Sequence, residues 1–148
     1  MVKRFIGLGT LNITEKGKSY VNQVLNSNRL SYGPFMKKFE SKFASLHDSK
    51  FAIMSNSGTS ALHIAIAALK ALHNWNNNDE IIVPAVTFVA TSNTVLHNNM
   101  KPVFVDVERD YYNINTDLIE EKITKNTKAM IPVHLFGLPC DMGPIIKL

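Results

Sequence analysis

The sequence predicts an α/β fold: a mainly parallel sheet covered by helices on both faces, in an α/β/α three-layer arrangement. Strands of four to six residues alternate with helices of ten or more, the pattern of βαβ units. The strand segments, such as EIIVPA and PVFVDV, are nearly continuous apolar runs, as expected of strands buried on both sides. Hydrophobic residues make up 45% and charged residues 19%, a globular composition with material for a sizeable core.

Each element has its own justification. Phe35, Phe39 and Phe43, with Met36 and Leu46, recur at helical spacing, so residues 34–46 read as an amphipathic helix with one buried stripe. Pro34 suits its first turn, where a missing N–H costs nothing. Phe51 to Met54 reads as a short strand running into Ser55-Asn56-Ser57-Gly58-Thr59-Ser60. Ala61 to Leu69 is alanine-rich and apolar on most faces, which predicts a buried helix. Asn74 to Asp79 is a turn, and Glu80 to Ala85 a strand with Pro84 near its end. Thr87 to Asn98 reads as a short helix and Pro102 to Val107 as a strand. Thr116 to Lys125 reads as a helix with Thr116 as N-cap, and Ala129 to His134 as a strand. A further helix starts near Pro144, where the sheet looks unfinished.

Several functional classes are disfavoured. No apolar run approaches the roughly 20 residues of a membrane-spanning helix. The opening MVKRFIGLGTLN has only a broken apolar stretch, which argues against a secretory signal. The single cysteine, Cys140, permits no internal disulfide, which fits a cytoplasmic location. The net charge of +4 permits attraction to anions, but the basic residues are scattered; Lys37, Lys38 and Lys42 are interrupted by Glu40. This reads as a solvated face, with no nucleic-acid footprint.

In a parallel sheet, ligands bind beyond the carboxyl ends of the strands. The Ser55–Ser60 loop places Ser57, Gly58 and Thr59 at a helix start, where unpaired N–H groups and the dipole favour an anion such as phosphate. The alternative is that Ser57 is an ordinary N-cap. In the next such loop, Phe88 stands where an aromatic ring would stack on a planar cofactor, the alternative being plain core. Other motifs fail at named positions. A P-loop lysine is missing after Gly58. Gly7-Leu8-Gly9 begins a dinucleotide fingerprint but reaches Asn12 where the third glycine belongs. Leu62 replaces the last glycine of an esterase elbow around Ser60. The five histidines show no metal-ligand spacing. Cys140 sits in a polar loop without a partner cysteine.

Five blocks extend this reading: RLSYGPFMKKFESKFA, NSGTSALHIAIAAL, DEIIVPAVTFVATSNTVL, KPVFVDVERDYYNINTDLIEEKIT and IPVHLFGLPCDM. In order and spacing they resemble the N-terminal part of the nucleotide-sugar aminotransferases of the DegT/DnrJ/StrS type, fold-type-I enzymes that use pyridoxal 5'-phosphate. The resemblance runs from about Leu30 to Leu148; the first thirty residues match loosely, and Asn98-Asn99-Met100 replaces a family glycine in a turn. It implies that residues 1–148 form part of the large, cofactor-binding domain. It also implies that Ser57, Gly58 and Thr59 hold the cofactor phosphate while Phe88 stacks on the pyridine. The Schiff-base lysine, the aspartate at the pyridine nitrogen and a smaller C-terminal domain would lie beyond Leu148, so this chain alone is expected not to transaminate. The implied reaction moves an amino group, usually from glutamate, onto a nucleotide-linked keto-sugar for amino-sugar or surface-polysaccharide biosynthesis, in a homodimer. The alternatives are a sugar dehydratase of the same family, or a non-catalytic truncated or scaffold chain.

Overall fold

The computed structural model describes residues 11–148. The Gly7-Leu8-Gly9 stretch and the basic start of the chain lie outside the described residues. The chain divides into two compact units, Met1–Met54 and Ser55–Leu148.

Among its described residues the first unit carries two helices. Helix α1 (Glu15–Asn26) falls where the sequence offered no expectation. Thr14 caps it by accepting the Gly17 N–H at 3.1 Å, and Lys18 pairs with Glu15. Helix α2 (Pro34–Leu46) has the expected bounds, with Pro34 in its first turn. Its stripe is only half buried. Phe35 lies 5.2 Å from the Tyr20 ring of α1, but Phe39 and Phe43 remain 52% and 46% exposed. A stripe is buried only as far as its partner reaches, and among these residues α1 meets just the Phe35 end. The strand expected at Phe51–Met54 does not form. A strand exists by its ladder, and this segment has none among the described residues; the Met54 N–H donates to the Glu40 carboxylate at 2.9 Å instead.

The second unit holds the sheet. Helix α3 (Gly58–Leu72) leads through a turn into β1 (Glu80–Pro84), then α4 (Ala90–His97) and β2 (Lys101–Val105). Two single 3₁₀ turns, Thr116–Leu118 and Glu120–Lys122, precede β3 (Thr127–Met130), and α5 (Met142–Ile145) follows. The strand order is β2-β1-β3, with both pairings parallel. The fold class is as the sequence predicts.

β1 is the buried centre. Ile81 and Val83 face a cluster with Ile66 of α3, Val95 of α4 and Met100, while Ile82 faces Val105, Ile114, Ile119, Cys140 and Ile145. Alternate residues therefore serve opposite layers, and side chains on both faces escape water, each worth about 1.5–3 kcal/mol on burial.

Local chemistry moved the other boundaries. α3 is a helix as expected but is not buried: Ile66 alone is covered, while Ile64 is 50% exposed and Leu72 73%. The helix has neighbours among the described residues on one side only. β3 begins earlier than expected, at Thr127 opposite Glu80, and it also ends earlier because its ladder closes with the Ile131 N–H donating to the Ile82 carbonyl and Pro132 then has no N–H to offer. The helix expected at 116–125 is two 3₁₀ turns, and its cap is Asn115, whose side chain accepts the Asp117 N–H. Thr124 ends that segment by anchoring to the sheet: its hydroxyl donates to Glu80 at 2.6 Å. Lys101 also reaches Glu80, at 2.9 Å. The Thr124 hydrogen bond, then the Lys101 ammonium, hold the Glu80 carboxyl below the usual carboxylate range.

Candidate functional site

The layout of the helices places the candidate residues. α3 feeds β1 through a short turn, so its C-terminal half lies at the amino edge of the sheet. Asn98, at the end of α4, donates to the His63 carbonyl at 3.3 Å and accepts from Lys70 at 2.7 Å through its own carbonyl. The end of α4 therefore sits beside the middle of α3, near Ile66. Eight residues back along α4 from Asn98 is Ala90; eight back along α3 from Ile66 is Gly58. α3 runs into the start of β1 and α4 follows its end, so both helices begin on the carboxyl side of the sheet. Gly58 and the Phe88 loop thus open on the same edge.

The connections leaving this edge diverge. The chain after β1 passes onto the face of Ile81 and Val83, through α4. The chains after β2 and β3 pass onto the opposite face, delivering Ile114, Ile119, Cys140 and Ile145. A parallel sheet opens a crevice where connections part in this way.

At the helix start, Ser57 is extended (φ −161°, ψ 161°) and is the N-cap, its hydroxyl oxygen accepting the Ser60 N–H at 3.1 Å. Its carbonyl accepts the Ala61 N–H at 3.0 Å. The Gly58 and Thr59 N–H groups donate to no described residue, and a Cβ at Gly58 would meet nothing within 4 Å. The structure shows the N-cap: Ser57 caps the helix, and the cap leaves two adjacent N–H groups without a partner among the described residues, at the positive end of a 15-residue helix.

Phe88 is 71% exposed and takes no part in the core that the described residues form. Thr87 and Thr91 share a hydrogen bond of 2.9 Å that ties this loop to the first turn of α4.

Other candidates resolve differently. Cys140 is buried instead of lying in a polar loop: its thiol donates to the Val133 carbonyl at 3.0 Å, and burial pushes its pKa up, which suppresses the reactive thiolate. His134 accepts the Cys140 N–H at Nδ1, and His63 lies 5.9 Å from His97 ring to ring. Lys101 is committed to Glu80 at the amino edge, and Lys70 to Asn77 and Asn98.

Sequence reading missed two residues of the carboxyl edge. Asn113 is 5% exposed and its amide is fully used: Oδ1 accepts the Leu135 N–H, and Nδ2 donates to the Leu138 and Pro139 carbonyls. Phe136 sits in that loop at φ 52° and is 93% exposed. The available signal was an aromatic directly before Gly137, in a Pro-flanked segment following a strand.

Comparison with known proteins is consistent across sequence and structure. The profile of the DegT/DnrJ/EryC1/StrS aminotransferase family matches residues 11–148. The GDP-perosamine synthase of Escherichia coli O157:H7 is 38% identical over 146 residues, covering 98% of this chain and 39% of that protein. An aminotransferase from Psychrobacter cryohalolentis superposes with a TM-score of 0.84 at 38% identity, over 92% of this chain and 34% of the other. The E. coli GDP-4-keto-6-deoxy-D-mannose-3-dehydratase, solved with bound hydrated PLP, gives 0.88 at 32% identity, over 95% and 36%. The chain spans about a third of the length of these relatives.

Proposed function

Because this chain belongs to the DegT/DnrJ/EryC1/StrS aminotransferase family, we propose that it supplies the phosphate-binding part of a pyridoxal-phosphate-dependent aminotransferase acting on a nucleotide-linked keto-sugar. The observation that carries this reading is the pair of unbonded Gly58 and Thr59 amides, opening on the same edge as the exposed Phe88. Two adjacent N–H donors and the Thr59 hydroxyl suit a phosphate dianion. The Ser57 hydroxyl fixes the turn by capping Ser60. The Phe88 ring suits one face of a pyridine. When bound, pyridoxal phosphate supplies an electron sink for bonds to the substrate's amine-bearing carbon. The residues of this chain anchor and orient that group; they do not perform its proton transfers.

Several features extend from this reading. Glutamate is the amino donor, the active assembly is a homodimer, the setting is cytoplasmic and the product enters amino-sugar or surface-polysaccharide synthesis. Residues 1–148 are then a partial large domain, and by themselves do not transaminate. Among the described residues no helix is long and apolar enough to cross a membrane. The likeness to the dehydratase favours a second reading, sugar dehydration, on the same cofactor-binding frame.

The test is made on the complete protein carrying this chain, given glutamate and a 4-keto-sugar nucleotide, with the product identified by mass. An amino sugar supports the aminotransferase; a deoxygenated keto-sugar supports the dehydratase. Phe88→Ala should weaken pyridoxal-phosphate retention by on the order of 1 kcal/mol, about fivefold. Unchanged retention removes the stacking role.

A further inference from the structure

The loop leaving β3 is built with more constraint than a connection requires. Asn113 pins it at Leu135, Leu138 and Pro139 across more than twenty residues of sequence. The Cys140 N–H closes onto His134 Nδ1 at 2.9 Å, and the Leu138 N–H onto the Leu135 carbonyl at 3.0 Å. Within this clamp Phe136 adopts a left-handed conformation (φ 52°, ψ 24°) that bulky residues avoid, and its ring stands 93% in water. Asparagine or glycine would fill that backbone position at lower cost. A strained, pinned, solvent-exposed phenyl ring is stable only because its surroundings over-determine it, and such positions gather where a ligand is gripped.

The loops carrying Phe88 and Phe136 leave adjacent parallel strands, β1 and β3, at the same edge of the sheet. The chain after β1 passes onto the face of Ile81 and Val83 and the chain after β3 onto the opposite face, so the two loops part at the carboxyl end of β1.

We infer that Phe136 is a second aromatic contact for the planar, phosphate-anchored ligand, the counterpart of Phe88 across the crevice, and that Asn113 is its positioning residue. The inference rests on the pyridoxal-phosphate reading of this edge. Asn113 contributes through the amide that no carboxylate can replace: Asp at 113 would lose both donations to Leu138 and Pro139.

The test is a pyridoxal-phosphate titration of the complete protein, followed by absorbance, beside thermal melting. Phe136→Ala is expected to weaken binding about three- to tenfold, and Phe136→Leu less. Phe136→Asn is expected to raise Tm by relieving the backbone while weakening binding, a divergence that a purely structural residue would not show. Asn113→Ala should speed amide exchange at Leu135 and add little when combined with Phe136→Ala. If Phe88→Ala weakens binding and Phe136→Ala does not, the inference is overturned while the reading of the site stands. If neither change alters binding, or the parent binds no pyridoxal phosphate, the reading fails and the inference fails with it.

Discussion

Gly58→Pro is a perturbation the structure is unusually suited to. Gly58 is the first residue of α3, where proline's fixed φ and absent N–H are tolerated. The residue before a proline must be extended, and Ser57 already is, at φ −161° and ψ 161°. A Cβ at position 58 meets nothing within 4 Å, so the ring begins in open space. The Gly58 N–H donates to no described residue, so the fold loses no hydrogen bond, and the stiffer unfolded chain should add about 0.4–1 kcal/mol of stability. What disappears is one of two free donors. A hydrogen bond to a charged group contributes about 1.5–3 kcal/mol, so pyridoxal-phosphate affinity should fall roughly ten- to a hundredfold. Gly58→Ala keeps the N–H and should bind more tightly than Gly58→Pro. The assay is a spectrophotometric titration of the complete protein, with far-ultraviolet circular dichroism to show that α3 persists. Equal affinity in the proline variant, with helix content intact, would refute the phosphate role of this turn.

Three further outcomes follow from other parts of the structure. Glu80 is held below the usual carboxylate range by Thr124 and Lys101, so its contribution to stability is present above its unfolded-state pKa and drains as pH falls through the lower folded value; Glu80→Gln should flatten urea stability against pH across that acid window. Ile82, fully buried between the layers, should cost about 2–5 kcal/mol as Ile82→Ala, read as a shift of the urea midpoint; a smaller loss would mean that the sheet is not the core. The purified 148-residue chain, given glutamate, a keto-sugar nucleotide and excess pyridoxal phosphate, should show no turnover above free cofactor. None of its lysines lies in the loops 85–89, 106–115 or 131–141 that leave the strands; turnover above background would show that one of them reaches the cofactor.

What the sequence made legible was local. The α2 bounds follow from Pro34 and the spacing of its phenylalanines, and β1 follows from an uninterrupted apolar run ending at a proline. The turn at Ser57–Thr59 was legible because capping is decided within four residues. Properties that depend on distant partners were not. Whether Phe39, Phe43 and Ile64 are covered depends on another layer, and Phe51–Met54 has strand composition but lacks the ladder that would make it one. Pro132, whose effect on β3 is local in principle, lies inside the apolar 129–134 run that reads as a strand. Asn113 was invisible for a different reason: its three bonds span 22 to 26 residues, and no periodicity encodes them.

The strand order has a consequence for the moment of synthesis. β1 is the central strand and the first of the three to be made. Its partner β2 follows after one short helix, but β3, which closes the other edge, pairs Met130 with Ile82, 48 residues later. At ribosomal speeds of about 5–20 residues per second, that interval is roughly two to ten seconds. Through it, the most apolar strand of the sheet carries an open edge, paired on one side only. The β1-α4-β2 unit is therefore the natural nascent intermediate, and competition for the Ile81–Val83 edge during those seconds is where a slow ribosome or a crowded polysome would divert this chain toward aggregation.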